Sequence, residues 1–177
     1  MVKFNSHQLR ASRLGESRQI ASQVPRNPIV LILDHILDTY NIGSFFRLAD
    51  AIAAQKLYLC GPLVTPPNVK IDRASVGTWK FVDWEAHPTT PALVKKLKQE
   101  KYQIIACEQS SRAVNYLTAD YRFPLAIIAG SEANGVGESV LKLCDLITEV
   151  PLFGINKSLN VLAAASIIAY QALSKIR

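Results

Sequence analysis

The chain has 177 residues, with 20 lysine and arginine residues against 14 aspartate and glutamate residues, and a formal charge of +6. Hydrophobic residues make up 49% and charged residues 19%, a balance that excludes an intrinsically disordered protein and suits one domain with a full hydrophobic core. The longest largely apolar stretch, Val161–Tyr170, is well short of the roughly 20 residues that cross a bilayer. No apolar leader follows Met1, and Cys60, Cys107 and Cys144 form no C-x-x-C pair, so we expect a cytoplasmic protein without disulfides or membrane segments.

The positive charge is concentrated at the start of the chain. Residues 1–26 contain five basic residues and the single acid Glu16, a net charge of +4, so the rest of the chain carries only +2. Clustered arginine side chains bind phosphates and give sequence-independent affinity for nucleic acid. We therefore expect residues 1–28 to form a basic N-terminal arm, which is either a solvated helix or tail or a phosphate-contacting segment. The candidates for phosphate contacts are Arg10, Arg13 and Arg18.

Five apolar segments after Pro28 are short enough to be strands. They are, in chain order, Ile29–Leu33, Lys56–Cys60, Tyr102–Cys107, Leu125–Ala129 and Leu146–Val150. Stretches with helical spacing lie between most of them and after the last, at Ile42–Ala53, Pro91–Glu100, Gly137–Cys144 and about 159–176. The proline-rich segment 61–90 predicts a short helix and a loop. Nearly continuous apolar strands that alternate with helices predict an α/β fold, with a mainly parallel sheet and helices on both faces.

Three loops of unusual composition follow predicted strands. In folds of this kind, ligands bind at the carboxyl ends of the strands, where these loops lie. The first loop leads into Asn41-Ile-Gly-Ser-Phe-Phe-Arg47, the second runs from Gly130 to Gly137, and the third runs from Pro151 to Asn160. The loops are therefore the first place to look for a ligand site.

Each loop also has a purely structural interpretation. Asn41, Glu132 and either Ser158 or Asn160 are residue types that could cap the helix that follows. Arg47 lies between two apolar residues, and a charge at such a boundary requires a partner or a function unless the side chain points to solvent. The loops taken one at a time leave these alternatives open.

Missing motifs disfavour several enzyme classes. The loop Gly130–Gly137 matches neither G-x-G-x-x-G nor a P-loop, so neither a dinucleotide site nor an NTPase is indicated. His7, His35 and His87 are dispersed and form no H-E-x-x-H motif, so we expect no metal site. No G-x-S-x-G elbow is present. The last predicted helix is apolar on nearly all sides, which indicates burial in the core or against a second subunit.

Taken together, the three loops resemble the SpoU (TrmH-like) family of RNA ribose 2′-O-methyltransferases, within the SPOUT superfamily. The family motif N-x-G-x-x-x-R-x-A stands here from Asn41 to Ala49, and G-x-E-x-x-G stands from Gly130 to Gly135. The motif I-P-x-x-G followed by S-L-N-V stands at 150–154 and 158–161, with valine in place of the first isoleucine. The order and spacing of the motifs agree with the family over about residues 29–172.

The resemblance implies a SPOUT fold with a trefoil knot near the C-terminus, an obligate homodimer, and S-adenosylmethionine bound by the knot loops. It makes residues 29–177 a methyltransferase domain and calls for no metal ion. The catalytic residues that it implies are Arg47, Asn41, Glu132 and Asn160. The cofactor-binding residues that it implies are Cys107, Glu108, Gly130, Val150, Ser158 and Leu159.

Two roles are open for Arg47. A ribose 2′-hydroxyl is a poor nucleophile until its proton is removed, and the resemblance assigns the role of base to this arginine. Arginine ordinarily stays protonated, so the more conservative role is to bind the target phosphate and stabilise the developing alkoxide. Arg47 is thus a candidate for both catalysis and RNA binding.

We expect tRNA as the substrate in preference to rRNA. Members of the family that act on rRNA often carry a separate N-terminal RNA-binding domain, and only about 28 residues precede the first predicted strand, too few for a second core. The alternatives are an rRNA 2′-O-methyltransferase and a catalytically silent RNA-binding dimer. Methylation of the base is disfavoured by the arginine of the first motif.

Overall fold

Seven parallel strands form one sheet in the computed structural model of the chain, which describes residues 3–176. The strands are β1 (Asn27–Asp34), β2 (Ala54–Cys60), β3 (Trp84–His87), β4 (Gln103–Cys107), β5 (Val114–Asn115), β6 (Leu125–Gly130) and β7 (Leu146–Glu149). Their order across the sheet is β3-β2-β1-β6-β4-β7-β5, and every neighbouring pair is parallel. The predicted α/β class and the five predicted strands are confirmed.

The sequence pattern does not predict β3 or β5. Strand β3 lies at the edge of the sheet, and its residues Glu85 and Ala86 are exposed, so it lacks the apolar run that marks the central strands. Strand β5 has only two residues and pairs only with β7 at the opposite edge. Edge strands of this kind need little apolar surface, and hydrophobic periodicity therefore misses them.

Seven α-helices surround the sheet in the described residues. They are α1 (Ser6–Ala11), α2 (Leu14–Ala21), α3 (Thr39–Ala51), α4 (Val69–Ser75), α5 (Thr90–Gln99), α6 (Glu138–Leu141) and α7 (Val161–Leu173), and a 3₁₀ turn at Thr78–Lys80 follows α4. Helix α6 is shorter than the predicted 137–144. None of the helices between residues 3 and 176 is long and apolar enough to cross a membrane.

Helix α3 begins before the predicted start at Ile42, with Asp38 as its cap. The Asp38 side chain accepts a hydrogen bond from the backbone N–H of Tyr40 at 2.9 Å. Asn41 is consequently a buried residue inside the first turn. The capping interpretation of Asn41 is therefore wrong, and its side chain is free for another partner.

The sheet is covered on both faces, which explains why its central strands are apolar at nearly every position. Alternate residues of β1 enter two apolar clusters: Leu31 and Leu33 pack with α3 and α7 on one face, and Ile32 packs with α5 on the other. Helices α3 and α7 therefore share one face of the sheet. This arrangement brings the first and third motifs together.

Gly43 allows α3 and α4 to pack closely. A Cβ atom built on Gly43 would lie 2.6 Å from Ala74 Cβ and 2.8 Å from the carbonyl oxygen of Ile71. The space beside this glycine is filled by the neighbouring helix. The glycine of the first motif therefore serves helix packing, which fixes the position of α3.

The N-terminal helices are docked on the 3₁₀ turn after α4. Lys80 Nζ donates hydrogen bonds to the carbonyl oxygens of Arg10 (2.8 Å) and Ser12 (3.0 Å). Arg18 Nη1 donates to the carbonyl oxygen of Val82 at 2.7 Å. Arg10 and Arg13, in contrast, have exposed side chains. Of the three predicted phosphate contacts, Arg18 thus already has an intramolecular partner.

Candidate active site

A cavity of about 420 Å³ lies at the carboxyl ends of β4, β6 and β7. Cys107 lies beside Ala129 and Thr148 in the strand register, so the three strands end level and their loops converge. The predicted cofactor-binding residues all line this cavity, namely Cys107, Glu108, Gly130, Val150, Ser158 and Leu159. Glu132 and Asn160 line it too. The structure thus brings the cofactor candidates and two catalytic candidates to one place.

The second motif loop, residues 130–137, folds back tightly on itself. Ser131 N donates to Gly135 O at 3.2 Å, and Gly135 N donates to Ser131 O at 2.8 Å. Gly135 has φ of +64°, in the left-handed region that favours glycine. A Cβ atom on Gly130 would collide with the backbone of Gly135 and Val136. The geometry of the turn by itself thus requires glycine at both positions.

Glu108 ties the second loop to the end of β4. One carboxylate oxygen accepts a hydrogen bond from Val136 N at 2.8 Å, and the other accepts from Gln109 N at 2.9 Å. A Cβ atom on Gly135 would collide with this carboxylate. Glu108 therefore positions the loop at the wall of the cavity.

Asn41, Glu132 and Asn160 form a hydrogen-bonded network that joins all three motifs. Asn41 Nδ2 donates to Glu132 Oε1 at 2.6 Å, and Asn160 Nδ2 donates to Asn41 Oδ1 at 3.3 Å. A carboxylate only accepts hydrogen bonds, so Glu132 fixes which end of the Asn41 amide faces it. Three of the four predicted catalytic residues are thus in direct contact.

The two remaining capping interpretations, those of Asn160 and Glu132, have opposite outcomes. Asn160 does cap α7, because its Oδ1 accepts from Leu162 N (3.0 Å) and Ala163 N (3.2 Å) while its Nδ2 reaches Asn41. Glu132 does not cap α6. The N-cap residue of that helix is Gly137, and no side-chain hydrogen bond caps its first turn. The motif residue Asn160 thus has a structural and a connecting role at once.

Arg47, the fourth catalytic candidate, is exposed on α3 and stands apart from the network. Its neighbours Phe46 and Leu48 are buried in the core, so the arginine points away from the apolar boundary that they form. Between residues 3 and 176, no hydrogen bond or ion pair engages the Arg47 guanidinium. The side chain is therefore available to a partner outside the chain.

The cysteine thiols are poorly suited to act as nucleophiles. Burial raises the pKa of Cys60, Cys107 and Cys144 to about 12, and the nearby carboxylate of Glu108 adds to the pKa increase at Cys107. The thiolate is the reactive form, so these groups are inert near neutral pH. In the part of the chain that the structure describes, no three His, Cys, Asp or Glu side chains are placed to bind a metal ion.

The sequence interpretation missed several residues that line the cavity, among them Thr148, Glu149 and Asn156. Thr148 is an ordinary strand residue by propensity, so nothing local distinguishes it from its neighbours. Its position two residues before the third motif is the one feature that points to the site.

An all-parallel sheet with a partly polar cavity at the carboxyl ends of its strands is the arrangement in which α/β proteins bind small molecules. The model of the SpoU rRNA Methylase family matches residues 28–170. The chain belongs to this family.

Relatives and solved structures agree with this assignment. A tRNA (guanosine(18)-2′-O)-methyltransferase of Thermus thermophilus is 27% identical over 144 residues, 81% of this chain and 73% of that protein. The SpoU methyltransferase AviRb from Streptomyces viridochromogenes, solved in complex with AdoMet, has a TM-score of 0.77 at 22% identity, covering 87% of this chain and 62% of that one. A structure that addresses the 2-OH methylation of C/U34 on tRNA has a TM-score of 0.75 at 27% identity, covering 85% of this chain and 98% of that one. The chain spans about two thirds of the length of the curated relatives that it matches.

Proposed function

We propose that this protein transfers a methyl group from S-adenosylmethionine to a ribose 2′-hydroxyl of tRNA. The observation that carries the proposal is the Asn41–Glu132–Asn160 network at the cavity, because it is built from one residue of each family motif. A merely structural use of the three loops would not require these polar side chains to meet beside a cavity. An rRNA substrate is the alternative target.

The cavity suits S-adenosylmethionine in size and chemistry. Its volume of about 420 Å³ lies within the range of roughly 300–1,000 Å³ typical of small-molecule sites. Its wall combines apolar residues such as Val150 and Leu159 with the hydroxyl of Ser158 and the carboxylate of Glu108. The AdoMet complex of AviRb supports the same cofactor here. When bound, S-adenosylmethionine supplies an electrophilic methyl group on its sulfonium.

The network holds the reacting groups in place. It links the first turn of α3, the second motif loop and the start of α7 by hydrogen bonds. In-line placement of the 2′-oxygen and the methyl group accounts for much of the acceleration in such a transfer. Asn41 and Asn160 are neutral amides and Glu132 is a carboxylate, so hydrogen bonding to the ribose is the chemistry they offer.

Arg47 fits the role of an RNA-facing group that stabilises charge. Its guanidinium is exposed and unengaged within residues 3–176, as a phosphate-binding side chain must be before RNA arrives. A protonated arginine stabilises the alkoxide that develops on the 2′-oxygen and can pair with the adjacent phosphate. The role of base would require the arginine to lose its proton, which arginine resists.

The N-terminal segment, residues 1–28, provides further phosphate contacts. Arg10 on α1 and Arg13 at the N-cap of α2 are exposed, and Lys80 and Arg18 hold these two helices against the rest of the domain. Docked helices present their charges in a fixed direction, which lowers the entropic cost of binding. Arg18 divides its hydrogen-bonding capacity between Val82 and any phosphate, so we rank it below Arg10 and Arg13. The relatives named for tRNA support tRNA as the substrate. A cytoplasmic location of the protein is part of the same proposal.

A homodimer is the second part of the proposal. In the third motif loop, Phe153 is 97% exposed and Ile155 is fully exposed. Ile167 and Tyr170 on α7 are partly exposed. Apolar side chains exposed this far favour a protein partner, and a second copy of the chain is the partner that the family resemblance supplies. The trefoil knot stays part of the proposal, supported by the convergence of loops 130–137 and 150–160 at one cavity.

The oligomeric state tests the dimer. Light scattering after gel filtration is expected to give twice the 19.5 kDa mass of the chain, and the double variant Phe153→Ser and Ile155→Ser is expected to be monomeric. A monomeric wild-type protein would contradict the dimer.

Transfer of radiolabelled methyl groups tests the activity. Wild-type protein is incubated with labelled S-adenosylmethionine and, separately, with unmodified tRNA and rRNA transcripts. We expect tRNA labelling that Arg47→Ala abolishes and Arg122→Ala retains, since Arg122 is an exposed arginine before β6, at the opposite end of the strands from the cavity. Labelling of neither RNA would contradict the proposal. RNA binding without cofactor binding would favour the silent dimer.

A further inference from the structure

His35 is held in a fixed orientation directly after β1. Its Nδ1 atom lies 2.8 Å from Oδ1 of Asp34, a residue that is only 4% exposed. The same carboxylate oxygen accepts a hydrogen bond from the buried hydroxyl of Thr90 on α5. Because a carboxylate only accepts hydrogen bonds, Nδ1 of His35 carries a proton, and Nε2 is the nitrogen left for another partner.

The backbone confines the imidazole further. His35 has φ of +57°, in the left-handed region that favours glycine. A Cβ atom built on Gly61, directly after β2, would lie 2.7 Å from both Nε2 and Cδ2 of the ring, so the ring packs against the bare backbone of that glycine. The side chain of His35 is nevertheless 53% exposed, and within residues 3–176 its Nε2 atom has no hydrogen-bond partner.

A structural role at this position does not require histidine. Asparagine adopts the left-handed region at least as readily, and its amide could donate to Asp34 in place of Nδ1. Together with the Thr90 hydroxyl, such an amide would satisfy the buried carboxylate. What histidine adds is Nε2, on a side chain that is more than half exposed. Residues held in strained backbone conformations cluster at functional sites, which directs attention to what this nitrogen binds.

His35 lies at the same edge of the sheet as the cavity. Asp34 is the register neighbour of Gly130, which lines the cavity, and the chain runs from His35 into α3, which carries Asn41 and Arg47. The imidazole lies on the β2 side of β1, so two strand spacings, roughly 10 Å, separate it from the second motif loop. A few nucleotides of an RNA strand cover that distance. An RNA whose target ribose lies at the network therefore reaches His35 with its flanking backbone.

We propose that Nε2 of His35 donates a hydrogen bond to a backbone phosphate that flanks the target nucleotide. The inference rests on the proposed function, which supplies the RNA. A protonated Nε2 only donates hydrogen bonds, and phosphate oxygens are the acceptors that every nucleotide presents. Asp34 stabilises the imidazolium that this contact needs, as a carboxylate behind a histidine does in a catalytic triad. His35 is thus an RNA-binding residue and takes no part in methyl transfer itself.

The test compares His35→Asn, which keeps a donor for Asp34, with His35→Gly, which removes it. Both residues suit the left-handed backbone, and both lack Nε2. Loss of one hydrogen bond to a charged group corresponds to about 10-fold weaker binding, and we expect this loss for both variants with unmodified tRNA in filter-binding assays. The slope of the logarithm of the tRNA binding constant against the logarithm of the salt concentration is expected to flatten by about one unit. Calorimetry is expected to show S-adenosylhomocysteine affinity within about 2-fold of wild type.

His87→Asn is the matched control. His87 is also at the carboxyl edge of the sheet, but it lies on β3, two strands from β1, and its Nδ1 atom contacts the backbone of Thr89 instead of a carboxylate. Its tRNA affinity is expected within about 2-fold of wild type. A purely structural role would spare His35→Asn and impair only His35→Gly, and that result would overturn the proposal.

Three other results would overturn it as well. They are an equal loss of tRNA affinity in His87→Asn, weaker tRNA binding by the His35 variants with an unchanged salt slope, and a parallel loss of S-adenosylhomocysteine affinity. Failure of the wild-type protein to bind tRNA or S-adenosylhomocysteine would instead refute the proposed function.

Discussion

Replacing Asn41 by aspartate converts the central hydrogen bond of the site into a repulsion while preserving the shape of the side chain. The donor Nδ2, which lies 2.6 Å from Glu132 Oε1, becomes a second carboxylate oxygen. The variant loses a hydrogen bond to a charged group. Because Glu132 is exposed, we take the low end of the usual range for such bonds, about 1.5 kcal/mol. Two charges about 4 Å apart in water add roughly 1 kcal/mol of repulsion.

We therefore expect Asn41→Asp to lower the free energy of unfolding by about 2–3 kcal/mol at pH 7.5 and to abolish methyl transfer. Urea denaturation followed by circular dichroism measures the first effect. Repulsion raises the pKa of one of the two carboxyls, so that carboxyl takes up a proton in the folded state first. The destabilisation is full above that raised pKa and diminishes as the pH falls through it.

A second substitution provides the internal check. In the double variant Asn41→Asp and Glu132→Gln, the introduced glutamine amide donates to the introduced aspartate carboxylate, and Asn160 Nδ2 still donates to that carboxylate, so the network is restored with one bond reversed. The stability of the double variant is expected within about 1 kcal/mol of wild type. Asn115→Asp is the matched control, since Asn115 Oδ1 accepts from Leu117 N and an aspartate keeps that bond. Wild-type stability of Asn41→Asp, or failure of Glu132→Gln to rescue it, would show that the network is absent in solution.

Three further predictions concern the packing, the RNA surface and the thiols. Gly43→Ala is expected to lower the free energy of unfolding, measured in urea, by about 1–2 kcal/mol. The reason is that overpacking against α4 outweighs the roughly 1 kcal/mol gain in helix propensity. Equal or higher stability would contradict the packing role of Gly43. Replacing Arg10 and Arg13 by glutamine is expected to weaken tRNA binding and to leave the affinity for S-adenosylhomocysteine unchanged. The slope of the logarithm of the tRNA binding constant against the logarithm of the salt concentration is expected to flatten by about one unit per lost contact. Unchanged RNA affinity would mean that these arginines are merely solvated. Iodoacetamide is expected to alkylate Cys107 slowly at pH 8, since a pKa of about 12 keeps the thiol protonated, and peptide mass spectrometry that finds rapid modification would contradict that burial.

The architecture could be predicted from the sequence where local patterns decide it. The central strands are apolar along their length because both faces are covered, and this is the pattern that Ile29–Leu33 and Leu125–Ala129 show. Strand β3 was not predicted because an edge strand with exposed residues has no such pattern. The start of α3 was misplaced because Asp38, three residues before Asn41, takes the capping position.

The site could be predicted only in part, because its contacts are distant in sequence. The resemblance to the family motifs pointed to Asn41, Glu132 and Asn160, yet the hydrogen bonds between them join residues 91 and 119 positions apart, and only the fold brings them together. Arg47 belongs to the same motif as Asn41 but points to solvent, a direction that the spacing does not give. Thr148 is an ordinary strand residue by type, and its place in the cavity wall is visible only in three dimensions.

The position of the methyl group on the product decides whether this protein is a ribose 2′-O-methyltransferase. Unmodified tRNA is treated with the protein and S-adenosylmethionine, digested to nucleosides and analysed by mass spectrometry. We expect a single 2′-O-methylated nucleoside with wild-type protein and none with Arg47→Ala. A methyl group on the base, or full 2′-O-methylation by Arg47→Ala, would contradict the mechanism in which Arg47 stabilises the attacking 2′-oxygen.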